Sequence, residues 1–135
     1  WKSIAPMPQP CLGAAAVSFR GAIIVAGGAR LHGETMMEVS DVVRYDPASN
    51  SWTTLASLQN SRTLFGLQVS CGRLYAVGGL TWNEKLVDTV EEYDEERNEW
   101  KIITRLPARP DELDNQFLYY STIAVPASFP SSPPV

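Results

Sequence analysis

Apolar residues in this chain fall in short runs, and Gly, Pro, Asn and Asp punctuate them. "GAAAVSF" (13–19) and "FGLQVSC" (65–71) are followed by "AIIVAGG" (22–28) and "LYAVGG" (74–79). "VVRYD" (42–46) and "VEEYD" (90–94) come next, and then "WTTLA" from Trp52 and "WKIIT" from Trp100. Runs of this length, rich in Val, Ile, Tyr, Trp and Thr, predict β-strands. Tight turns are expected at Arg20-Gly21 and Gly72-Arg73. "DPASN" (46–50) places Asp and then Pro where a turn wants them, and "DEERN" (94–98) fills the same slot with charge. No apolar spacing of helical period runs beyond about a turn.

The runs repeat. Gly27 and Gly78 are 51 residues apart, as are Trp1 and Trp52. Trp52 and Trp100 are 48 apart, as are Tyr45-Asp46 and Tyr93-Asp94. Trp precedes the glycine pair by 26 residues in both cases, and Tyr precedes Trp by 7. Apolar residues follow each Trp at three (Ile4, Leu55, Ile103) and at six (Met7, Leu58, Leu106). Asn50 and Asn98 each lie two before a Trp. Four antiparallel strands in about 50 residues are the unit of a β-propeller blade.

A glycine pair, then Tyr-Asp, then Trp at this spacing resembles the kelch repeat, over Trp1 to about Leu106. The resemblance implies an all-β fold: a partial kelch β-propeller of about two four-stranded antiparallel blades with flanking strands. It divides the chain into a last strand of a preceding blade with its linker (1–12), one repeat (13–56), a second (57–106), and a remainder (107–135). It also makes Gly27, Gly28, Tyr45, Trp52, Gly78, Gly79, Tyr93 and Trp100 architecture. The glycines end the second strand where a side chain would collide, and the four aromatic residues are expected around them.

The hydrophobic fraction of 44% and charged fraction of 19% suit a folded domain. A net charge of −4 with scattered basic residues argues against a nucleic-acid surface. No apolar run approaches the roughly 18–20 residues of a membrane-spanning helix. Cys71 is expected as a buried thiol at a strand end, and a Cys11–Cys71 disulfide is not expected. A single histidine, His32, and no Cys-x-x-Cys argue against a structural zinc site.

Two blades cannot close a ring of four to eight, so the expectation is a piece of a longer protein whose remaining blades are partners. Beyond Trp100 the rhythm fails: Pro126-Ala127 stands where a glycine pair is due. "DELDNQFLYY" (111–120) would bury Asp111, Glu112 and Asp114 in an inner strand, and "SFPSSPPV" is Pro/Ser-rich. Residues 107–135 are therefore expected to be a degenerate blade start and a disordered tail.

Function must come from loops on the scaffold. In a four-stranded meander the second-to-third connections (29–40 and 80–87) and the fourth-to-first connections (57–62 and 105–113) share one end. Candidate partner-binding residues there are Arg30, His32, Arg62, Trp82, Asn83 and Arg109. Each has a plain structural reading as well. Arg62 sits where kelch repeats often carry an arginine, which implies internal hydrogen bonding. Met36-Met37 reads as loop packing, and Glu91, Glu92, Glu95 and Glu96 read as a solvated charge run.

The resemblance implies a cytoplasmic protein-interaction module that recognises a segment of another protein. In its finer form this is the substrate-recognition part of a cullin-dependent ubiquitin ligase adaptor, whose BTB domain would lie elsewhere. The alternative is a structural, actin-binding scaffold. An enzyme is not expected. Some kelch propellers are copper oxidases, but one histidine cannot supply that metal shell, and no nucleophile–base pair or phosphate loop is present. No cofactor, nucleic acid or membrane partner is expected.

Overall fold

The computed structural model describes residues 1–107. The expectations for 108–135, Arg109 and the Pro/Ser-rich segment among them, lie outside the described residues. Among the described residues the fold is all-β, and no helix is long and apolar enough to cross a membrane.

Two four-stranded antiparallel sheets form the expected blades. The first contains β1 (Ala15–Phe19), β2 (Ala22–Ala26), β5 (Val42–Asp46) and β6 (Ser51–Leu55), in that order. The second contains β7 (Gly66–Ser70), β8 (Arg73–Val77), β9 (Thr89–Asp94) and β10 (Glu99–Arg105). Residues 1–5, expected as the last strand of a preceding blade, carry no strand assignment.

The segment 29–40 is not a simple loop. It folds into a hairpin of β3 (Ala29–His32) and β4 (Thr35–Glu38). Leu12 lies alongside as a one-residue third strand, exchanging both backbone bonds with Ala29 at 2.8 Å. The matching segment 80–87 is shorter and closes a turn with a single Leu80–Leu86 bridge.

Local geometry follows from residue type. Arg20-Gly21 and Cys71-Gly72 both have positive φ at the two turn residues, the type I′ pattern that suits strand twist. The second turn is thus one residue earlier than expected. Cys71 is a turn residue and exposed, not a buried thiol, and both cysteines are free.

The core lies between the blades. Register places Ile24, Ala26 and Val42 on one face of the first blade, and Leu74, Ala76, Tyr93 and Trp100 on the facing side of the second. With Phe19, Leu58, Phe65 and Leu67 they form one buried cluster. Each large apolar side chain buried there contributes roughly 1.5–3 kcal/mol.

Both glycine pairs have positive φ. A Cβ on Gly27 would stand 2.6 Å from the Arg62 carbonyl and from the Phe65 ring, and one on Gly79 would stand 2.6 Å from Phe65 Cβ. The crowding therefore comes from Phe65 and from backbone, not from the expected tryptophans and tyrosines. Those four residues work at the other end of each blade. Tyr45 Oη donates to Asn50 Oδ1 and Tyr93 Oη donates to Asn98 Oδ1, both at 2.8 Å. Each Asn oxygen also accepts the backbone N–H of an upstream alanine, Ala5 or Ala56. The indole N–H of Trp52 or Trp100 donates to the carbonyl of that same alanine. Each repeat thus grips one residue of the preceding segment from both sides.

Candidate interaction site

The 2→3 and 4→1 connections meet at one end of the blades, as their topology requires. A belt of backbone bonds ties them: Gly28 N–H to Arg62 O at 2.8 Å, Leu64 N–H to Gly13 O at 3.0 Å, and Thr63 paired with Leu80. The Trp82 N–H donates to the Glu38 carboxylate at 3.2 Å, linking the hairpin to the 80–87 turn.

Arg62 belongs to this belt but is fully buried, so a partner cannot reach it. All five of its N–H donors are used. Nε donates to Asn60 O; Nη1 donates to Gly78 O and Thr89 O; Nη2 donates to Thr89 Oγ1 and Glu91 Oε1 at 2.6 Å. Burial pulls its pKa down and Glu91 pulls it back up. Glu91 is equally buried and also accepts the backbone N–H groups of Gln59 and Asn60. It is not part of a solvated charge run. Its place two residues from Tyr93 in β9 turns it inward, whereas Glu92 and Glu95 meet Arg73 and Arg20 at the surface.

Repeat spacing puts Cys11 and Val43 where the second repeat has Arg62 and Glu91. A cavity of about 470 Å³ lies beside them, lined in part by Met7, Gln9, Cys11, Val43 and Thr54. Arg30 also borders it and pairs with Asp41 at 2.5 Å. Burial pushes the Cys11 thiol pKa up, Arg30 pulls it down and Asp41 pushes it up, for a net rise. Among the described residues no group of three His, Cys, Asp or Glu could hold a metal.

Register separates the remaining candidates. Arg30 pairs with Met37 and His32 with Thr35, so these four share one side of the hairpin. Ala29, Leu31, Met36 and Glu38 share the other side, the one linked to the 80–87 turn. Trp82 and Asn83 are exposed on that turn. Arg30 and His32 therefore face away from Trp82. The sequence reading missed an apolar group on the Trp82 side: Leu12, Leu31 and Leu64 are 62, 64 and 44% exposed, and Trp82 is 45% exposed. Leu12 and Leu64 lie in the 4→1 connections, and the residues that match them, Thr63 and Gly13, are not large hydrophobics. A comparison of the repeats at those positions could have found them.

Comparison with known proteins agrees with this architecture. The family model described as the Kelch motif matches residues 10–59 and 61–107. The chain is 36% identical over 112 residues to alpha-scruin of Limulus polyphemus, covering 80% of this chain and 12% of that protein. It is 30% identical over 115 residues to human Kelch-like protein 34, covering 79% and 18% respectively. It is 30% identical over 113 residues to Kelch-like protein 40 of Xenopus laevis, covering 84% and 18%. The chain thus spans less than a fifth of each of these relatives. Among solved structures, that of YjhT superposes with a TM-score of 0.71 at 19% identity, covering 79% of this chain and 42% of that one, a likeness of fold. Two matched repeats, the two-blade architecture and the recurring Tyr–Asn–Trp grip together make this chain a member of the kelch-repeat family.

Proposed function

We propose that this chain is a protein-interaction module that binds a segment of another protein at the end formed by its 2→3 and 4→1 connections. The observation that carries the reading is the exposed group of Leu12, Leu31, Leu64 and Trp82 on a backbone fixed by the belt and by the Arg62–Glu91 pair. Large apolar groups held rigid at a surface are what interfaces use as anchors. Asn83 lies beside Trp82 and joins that surface in this reading; Arg30 and His32 serve a partner that also reaches round the hairpin.

In its finer form the module recognises substrates for a cullin-dependent ubiquitin ligase, within a longer cytoplasmic protein. Its similarity to proteins named Kelch-like supports this. An actin-binding scaffold is the alternative.

Site-specific photocrosslinking in cells tests the module reading. A crosslinker at position 82 is expected to capture a discrete partner, and one at position 72, on the opposite end, is not. Equal capture at both positions contradicts the reading. Co-purification of a cullin with the parent protein tests the finer form.

A further inference from the structure

We infer that the partner segment is basic and carries aliphatic or aromatic anchors, and that it lies along the row formed by Leu64, Leu12, Leu31 and Trp82. This rests on the interaction reading and adds the partner's chemistry.

The row is continuous by register. Leu12, Ala29 and Glu38 are opposite one another across three adjacent backbones, and Glu38 then accepts the Trp82 N–H. Leu31 is two residues along from Ala29, on the same side. Leu64 joins through Gly13: its Cδ2 lies 3.5 Å from where a Gly13 Cβ would be. Leu64 also has φ +50 and is exposed, whereas the other repeat has Gly13 there with φ +63. Leu64 is thus a leucine held in a backbone conformation that favours glycine and left 44% exposed.

The charges around the row choose the partner's sign. Glu34 at the hairpin tip and Glu84 on the Trp82 turn are exposed, and Glu38 accepts the Trp82 backbone N–H. Among the described residues none of the three forms an ion pair. Lys85 offsets one of them, and the arginine of this hairpin is taken by Asp41. Carboxylates rimming an apolar row steer and hold a basic segment and reject an acidic one.

A displayed random-peptide library selected on the whole chain tests this. Recovered peptides are expected to combine two or more large apolar residues with Lys or Arg. Their binding is expected to fall about tenfold or more on Trp82→Ala and on Leu64→Gly, and also on Glu34→Lys with Glu84→Lys and at high salt. Leu64→Gly relieves the backbone, so its melting temperature is expected to hold or rise, which separates lost binding from unfolding. Acidic peptides that still depend on Trp82, or affinity unchanged by the Glu reversals, overturn the basic partner and leave the interaction reading standing. Failure to recover any peptide that depends on Trp82 or Leu64 overturns both.

Discussion

The indole N–H of Trp100 donates to the carbonyl of Ala56 at 3.0 Å, across the seam where one repeat hands the chain to the next. Asn98 accepts the N–H of the same alanine at 2.9 Å, so Ala56 is held by both of its backbone groups. Trp52 and Asn50 hold Ala5 with nearly the same distances. Trp100→Phe keeps an aromatic ring but loses the donor and part of the buried indole. It is expected to cost at least about 1–2 kcal/mol in urea unfolding, from the unpaired, part-buried carbonyl alone.

The Arg62–Glu91 pair should behave as a coupled unit. Removing either partner leaves a buried charge, so Arg62→Cys or Glu91→Val alone should cost about 3–5 kcal/mol. The double variant recreates the Cys11/Val43 combination of the first repeat. It should cost less than the sum of the singles, a coupling measurable by a double-mutant cycle. Additive losses would show that the two side chains do not depend on each other.

Glycines with positive φ should separate by crowding. Gly33 has φ +63 and open space around it, so Gly33→Ala should cost about 1–2 kcal/mol for the backbone alone. At Gly79 a Cβ also meets Phe65 at 2.6 Å and the Thr63 carbonyl at 2.7 Å. Overpacking adds about 1–3 kcal/mol to the backbone term, and thermal unfolding should rank Gly79→Ala as the worse of the two.

The cysteines should differ in reactivity towards a disulfide reagent such as DTNB. Cys71 is exposed and should give the fast phase; Cys71→Ser should abolish it. The thiolate is the reactive form. Because the Cys11 pKa is raised, its thiolate fraction is small at neutral pH and grows as pH rises. Its rate should therefore be slow and should climb to higher pH than that of an unshifted thiol.

The repeat was legible because it is written in residues whose jobs are local. Glycine pairs tolerate positive φ, Tyr-Asp closes β5 and β9, and Trp is the second residue of the last strand of each blade. Placement across the seam was harder to read. The spacing of Trp52 and Trp100 does not say that they reach back to Ala5 and Ala56 rather than to the glycines. Glu91 looked solvated because its neighbours are charged, although its two-residue offset from Tyr93 points it inward. The β3–β4 hairpin was hidden because its length differs between repeats. Leu12 and Leu64 stand where the other repeat has Thr63 and Gly13, a difference that shows only when the repeats are compared position by position.

Thermal unfolding of Trp100→Ala beside Trp82→Ala tests the division between scaffold and interaction face most directly. Trp100 is 2% exposed and bonded across the seam, whereas Trp82 is 45% exposed. Trp100→Ala should destabilise the protein by about 3–5 kcal/mol, and Trp82→Ala should stay within about 0.5 kcal/mol of the parent. Equal losses in both variants would contradict the account.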